Sequence, residues 1–280
     1  MATTSALASE LASRVVPSGN VAVAWICQAG FVLKSPGGTI IAIDPYLSNS
    51  CKALGDEAGF NMDRLVPAPL KPAELAAFDA LLFSHSHQDH VDPETIQPYV
   101  AAGGDVPVIA PHEAAELLKK LGVKAERITM TWANQLHRVG DFSIRTAFAI
   151  PLDGGDLTHV GYIIEVAGGP RLYFTCDTDY NDVLPLAVGP YQPDVLLTVI
   201  NPAFRNLTPR DAAKLAKELN PKWVVPCHHD LFPDNSLSDR LLQTNLTIVG
   251  IKDTYCPLKQ GELHLFPVPD DRPRPKQALV

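Results

Sequence analysis

The sequence predicts a layered α/β fold, and three observations carry that prediction. Short apolar runs alternate with helical patterns from end to end, separated by Gly- and Pro-containing turns. Hydrophobic residues make up 46% of the chain and charged residues 19%, a balance that fits a packed core rather than extended disorder. At 280 residues the chain is long for one domain but within the ordinary range of single α/β domains. The expected organisation is therefore one domain over residues 1–266, followed by a loose Pro-rich tail over 267–280.

The elements follow in order. Residues 21–26, 31–33 and 39–43 read as three early strands, with Ser35-Pro36-Gly37-Gly38 as the turn between the last two. From 48 to 72 the periodicity fades into a loop long enough to serve as a lid. Residues 80–83 form a short apolar strand. Asp92-Pro93 has the form of a helix cap followed by proline at the first helical position. A strand over 106–110 precedes a helix over 112–121 that Gly122 stops. Residues 142–150, 160–166 and 171–175 read as consecutive strands. Two more, 194–200 and 223–225, flank a helix over 208–219, which Thr208 caps and Pro209 and Asp211 favour in its first turn.

The formal net charge of −8 predicts no nucleic-acid partner and no anionic membrane surface, since both would be repelled on average. No apolar run approaches the roughly 20 residues that a bilayer requires. The first twenty residues lack a basic start followed by an apolar stretch. Five cysteines without close pairing suit a reducing compartment, so a cytoplasmic location is expected.

The densest chemistry lies directly after the 80–83 strand. Ser84-His85-Ser86-His87-Gln88-Asp89-His90 places four metal-ligand side chains within six positions. In extended backbone alternate side chains share a face, so His85 and His87 can meet one ion. Asp89 and His90, where the chain turns towards a helix, can aim at a neighbouring position. Imidazole and carboxylate donors favour Zn or Mn, with Fe as a third candidate, over Mg or Ca, and one or two divalent ions are expected.

His-x-His-x-Asp-His at a strand end resembles the signature of the metallo-β-lactamase superfamily, which implies a four-layer αββα sandwich with its metals at one edge. Two later segments resemble that family's pattern in the expected order. Tyr173-Phe174-Thr175-Cys176-Asp177-Thr178 is similar to its strand ending in an acidic ligand, and Val224-Val225-Pro226-Cys227-His228-His229-Asp230 to the strand presenting its last histidine. The resemblance thus implies a metal set of His85, His87, Asp89, His90, Asp177 and His228. Within the superfamily, residues 21–232 are similar to the L-ascorbate-6-phosphate lactonase group. Gln28-Ala29-Gly30-Phe31, Ile43-Asp44-Pro45, Thr158-His159-Val160-Gly161-Tyr162 and Asn201-Pro202-Ala203-Phe204-Arg205-Asn206-Leu207-Thr208 carry that likeness. Two departures stand out. A further histidine usual after the strand over 142–150 is missing from Ile150-Pro151-Leu152-Asp153, leaving Asp153 or His159 as substitutes, and Cys176 replaces the usual glycine before the acidic ligand.

The resemblance implies a metal-dependent hydrolase that uses a metal-bound hydroxide, with Asp89 and Asp177 as its catalytic carboxylates. The implied substrate is a small, anionic molecule such as a sugar-derived or phosphorylated lactone; a small phosphodiester, or a non-hydrolytic metal-binding role, is the alternative. Asn201 and Arg205 lie in a loop where α/β sheets meet ligands, and the guanidinium suits an anion. With His159 and His229 they are the candidate substrate contacts. Assembly into a homo-oligomer stays open.

Overall fold

The computed structural model describes residues 4–151, 153–201 and 203–267; the expected tail, apart from Pro267, lies outside them. After helix α1 (Ala6–Ser13) the chain lays down β1 (Val21–Cys27), β2 (Gly30–Lys34), β3 (Ile40–Ile43), β4 (Ala80–Leu82), β5 (Val108–Ala110) and β6 (Ile128–Met130) as one sheet. A second sheet takes β7 (Leu136–Val139), β8 (Phe142–Phe148), β9 (Val160–Val166), β10 (Arg171–Phe174), β11 (Val195–Val199) and β12 (Trp223–Cys227). The chain then returns with β13 (Leu263–Phe266), which pairs antiparallel with β1. The orders are β13-β1-β2-β3-β4-β5-β6 and β12-β11-β10-β9-β8-β7.

Both sheets are mixed. β3 through β6 are parallel neighbours, as are β10, β11 and β12. Parallel pairs need crossovers, supplied by α2 (Cys51–Ala58), α3 (Pro93–Ala101), α4 (His112–Lys120), α5 (Val183–Val188) and α6 (Pro209–Leu219). Helix α7 (Arg240–Ile248) follows β12 and packs on α6.

The layering follows from side-chain alternation. Along β1, Val21, Val23 and Trp25 enter the core between the sheets with Phe142, Ile144 and Phe174. The alternate residues Ala24 and Ile26 face outward into a second cluster with Leu7 and Leu11 of α1, Ile96 of α3 and Leu118 of α4. A strand buried on both faces shows as an unbroken apolar run, as Val21–Cys27 does. Helices α6 and α7 bury Leu215, Leu219, Leu242 and Leu246 against the second sheet. The result is the expected αββα sandwich.

Two helix starts form as predicted. Asp92 accepts the Glu94 N–H, and Thr208 exchanges hydrogen bonds with Asp211 in a capping box. The stretch over 48–72 differs from the expected loop because Cys51–Ala58 is helical. That helix is short, holds Gly55, and stops at Gly59 in the left-handed conformation (φ 81°), so its sequence carries little periodic signal.

Candidate metal centre

The site is assembled from strand ends at one edge of the sandwich. β3 runs into Asp44, β4 into residues 84–90, β10 into Cys176-Asp177 and β12 into His228. The backbone must turn sharply there, and Asp44 (φ 44°), Cys176 (φ 62°) and His228 (φ 59°) all adopt left-handed conformations. Such backbone is costly for any residue with a Cβ, on the order of 1–3 kcal/mol, and it clusters where a site demands it. Glycine at position 176 would carry no such cost, which gives the family's usual glycine its physical reason. Cys176 is fully buried, its Sγ 3.7 Å from His85 Nδ1, and burial pushes the thiol well up, so it sits neutral.

Asp89, His90, Asp177 and His228 converge. His228 Nε2 lies 3.2 Å from Asp89 Oδ2 and 3.3 Å from Asp177 Oδ2, while His90 Nε2 lies 3.5 Å from Asp177 Oδ1 and 3.7 Å from Asp89 Oδ2. Burial opposes charge on His90, yet the Asp89, Asp177 and Asp44 carboxylates outweigh it and hold the imidazole well above its ordinary pKa. His228 is likewise raised against burial, to about 9, chiefly by Asp177 and Asp89. Reciprocally, burial would raise Asp177 and Asp89, but the two histidines hold both carboxyls well below their usual range.

His85 and His87 form a second group beside the first. His85 Nε2 and His87 Nδ1 are 2.9 Å apart, and the His85 ring packs 4.0 Å from His90 and 4.1 Å from His159 between centroids. Burial and then the neighbouring His90 and His159 push the His85 pKa well down, the opposite of His90. His87 Nε2 donates to Asp153 Oδ2 at 2.8 Å. Of the two candidate substitutes for the missing histidine, Asp153 thus meets His87, while His159 lies buried beside His85 with Nδ1 3.1 Å from the Asp177 carbonyl.

Four further residues hold these groups in place. Asp44, fully buried, accepts from His90 Nδ1 at 2.8 Å, from the Ser84 N–H at 2.8 Å and from the Ser84 hydroxyl, so the other ring nitrogen of His90 faces the cluster. Gln28 Nε2 donates to Asp89 Oδ2 at 2.8 Å, and the main-chain carbonyl of Gln28 receives the main-chain N–H of His228 at 2.7 Å. Asn206 Nδ2 donates to Asp177 Oδ2 at 2.6 Å. Asp156 accepts the Ser86 N–H at 2.6 Å. None of the four was singled out as a site residue from sequence. Gln28 and Asp44 did leave a signal, as polar side chains embedded in apolar strand sequence.

The cluster floors a cavity of about 370 Å³ lined by His87, Asp89, Asp153, Asp177 and His228 together with Cys51, Leu54, Met62, Phe204, Arg205 and three asparagines. Of the four candidate substrate contacts, Asn201 and Arg205 line this cavity. His159 and His229 do not. His229 stacks on Trp25 at 4.7 Å, and its Nδ1 meets Asp230 Oδ2 at 2.8 Å, so Asp230 orients His229 rather than His228.

The donor set fits a divalent cation. Buried His90 Nε2 and Asp177 Oδ1 have no hydrogen-bond partner, although they face one another across 3.5 Å. Unpartnered buried polar atoms are costly and rare, and a cation between nitrogen and carboxylate oxygen satisfies both. Among the described residues, three sets of donor atoms lie within 4.8 Å of one another: Asp89 with His90 and His228, His85 with His90 and Asp177, and His85 with His159 and Cys176. Nitrogen and oxygen donors of this kind match Zn, Mn or Fe.

Comparison with known proteins agrees with this arrangement. A Salmonella paratyphi B protein named probable L-ascorbate-6-phosphate lactonase UlaG is 28% identical over 263 aligned residues, taking in 81% of this chain and 74% of the relative. Among solved structures, Igni18, a metallo hydrolase from Ignicoccus hospitalis, superposes with TM-score 0.67 at 18% identity, covering 88% of this chain and 98% of that one. An isothiocyanate hydrolase from Delia radicum gut bacteria gives TM-score 0.68 at 19% identity, over 87% of this chain and 98% of its own. The model of the beta-lactamase superfamily domain matches residues 39–229, more than half of the sequence, and the chain therefore belongs to that superfamily.

Proposed function

We propose that the protein is a metal-dependent hydrolase of small molecules that opens lactone rings. The observation that carries this reading is the convergence of Asp89, His90, Asp177 and His228, with unpartnered donor atoms, where Asp89, Asp177 and His228 line a cavity large enough for a small substrate. The likeness to the lactonase relative supports the choice of substrate. In the proposed site these four residues hold one divalent ion, and His85 and His87, joined by Asp153, hold a second more openly.

Bound there, such ions bring the pKa of coordinated water towards neutrality and polarise a carbonyl. The chain's own residues then do the rest. Asp44 keeps His90 facing inward, and Asn206 and Gln28 fix the Asp177 and Asp89 carboxylates through one oxygen each. Asp89, the more open of the two to the cavity, receives the proton of the attacking water and returns it to the ring oxygen as that leaves. No serine or cysteine nucleophile is needed.

The test is hydrolysis of a lactone panel, beside bis-p-nitrophenyl phosphate, by protein of measured metal content. Lactone turnover should vanish on chelation and return on adding Zn or Mn. Turnover that persists in demetallated protein, or a preference for the phosphodiester, overturns the reading.

A further inference from the structure

The walls of the cavity differ in kind from its floor. Cys51 and Leu54 of α2, Met62 from the segment after it, and Phe204 from the loop after β11 line the same space as Asp89 and His228. Leu54, Phe60 and Phe204 are each about half exposed, at 46%, 44% and 53%, and the Phe60 and Phe204 rings meet edge to face at 5.8 Å. This wall is built. Gly55 lets residues 59–62 fold back on α2, because a Cβ there would stand 2.6 Å from the Phe60 carbonyl, whose own N–H bonds to the Gly55 carbonyl at 2.8 Å. Opposite, Phe204 and Arg205 both hold left-handed backbone, at φ 59° and 68°.

The lining offers a phosphate little cationic side-chain charge. Among the described residues that line the cavity, Arg205 is the one Lys or Arg; it is 68% exposed at its side chain and already 3.4 Å from Asp179. Asn206 gives an amide N–H to Asp177, and its side-chain carbonyl oxygen is buried without a partner, an acceptor for a substrate hydroxyl or amide N–H.

On the reading of the site as a hydrolase, we infer that its substrate class is a neutral lactone or ester carrying an alkyl or aryl arm, rather than a phosphorylated sugar. The reacting carbonyl sits over Asp89, Asp177 and His228. The arm lies along Leu54, Met62 and Phe204, and a hydroxyl or amide N–H beside the carbonyl meets the free Asn206 oxygen.

Two measurements separate this inference from the reading beneath it. The first is binding of straight-chain hydroxamic acids, from acetohydroxamate to octanohydroxamate, to the metal-bearing protein by calorimetry. Affinity should rise by up to about fourfold per methylene, the value of burying one such group, and the ratio between the longest and shortest ligand should collapse in the Leu54→Asp, Phe204→Ala double variant. Both side chains are exposed, so the variant should fold. A flat chain-length series, or a ratio that survives the double substitution, overturns the inference. The second is kcat/KM for γ-butyrolactone, γ-decalactone and L-ascorbate 6-phosphate. A preference for γ-decalactone supports the inference, and a preference for the phosphorylated lactone overturns it. If no lactone is hydrolysed while the hydroxamate gradient holds, the lactonase reading fails and the apolar arm stands.

Discussion

The two halves of the cluster are built to different standards. Asp89, His90, Asp177 and His228 arise from three strand ends, and at least one atom of each is held by Gln28, Asp44 or Asn206. His85 and His87 share one short segment, His87 and Asp153 are partly open to solvent, and the contact between them is the outermost of the site. Charge divides the same way. Carboxylates raise His90 and His228, whereas His85, among other imidazoles, is lowered. The difference teaches that the half with fewer supporting contacts is the one to test first: on the proposed reading, one firmly held and one loosely held ion are expected.

The largest effect should come from breaking the tight half. Asp177→Asn removes the carboxylate that faces both His90 and His228, and should abolish firm metal binding and cost on the order of 10³-fold in turnover, checked by elemental analysis beside kcat. Next, Asp44→Asn leaves every proposed ligand in place but loosens His90. A fall of roughly 10- to 100-fold in affinity for the tight ion is expected, measured by competition with a chromogenic chelator. Asp153→Asn tests the open half: stoichiometry should drop from two towards one, with the tighter dissociation constant unchanged. Loss of both ions together would erase the contrast between the halves.

The smallest effect is a pH dependence of the chelated, metal-free protein. His228 has a folded pKa raised to about 9 from an ordinary 6.5, so its pairing with the carboxylates contributes stability that is complete below about pH 6.5 and lost as pH rises through 9. A falling Tm between pH 7 and 10 is expected, its slope reduced but not abolished in His228→Gln, because His90 is raised by the same carboxylates. His85 acts with the opposite sign. Its lowered pKa means that the unfolded chain takes up a proton first as pH falls below about 6.5, which weakens the fold on the acid side.

What could be read from sequence depended on whether the partners of a residue lie near it in the chain. The run from His85 to His90 is legible because four donors stand together, and β1, β9 and β11 because strands buried on both faces are largely apolar. β6 and β7 escaped, being half-exposed strands with a polar or charged residue in nearly every second place, and β13 is a short edge strand that only its pairing with β1 defines. Asp44, Gln28 and Asn206 find their partners 46, 61 and 29 positions away. Only the closed sandwich brings those partners within reach. Cys176 could be marked as a departure from the family, but the left-handed backbone that explains the usual glycine belongs to the fold.

The left-handed turns at Asp44, Cys176 and His228 also bear on whether the centre can be moved to another scaffold. A peptide spanning residues 84–90 would carry four donors and almost none of the geometry, since nothing outside the sandwich pays for turns that each cost about a kilocalorie or more. The portable unit is a corner where two sheets end together, and any graft of this chemistry has to import β3, β4, β10 and β12 along with the histidines.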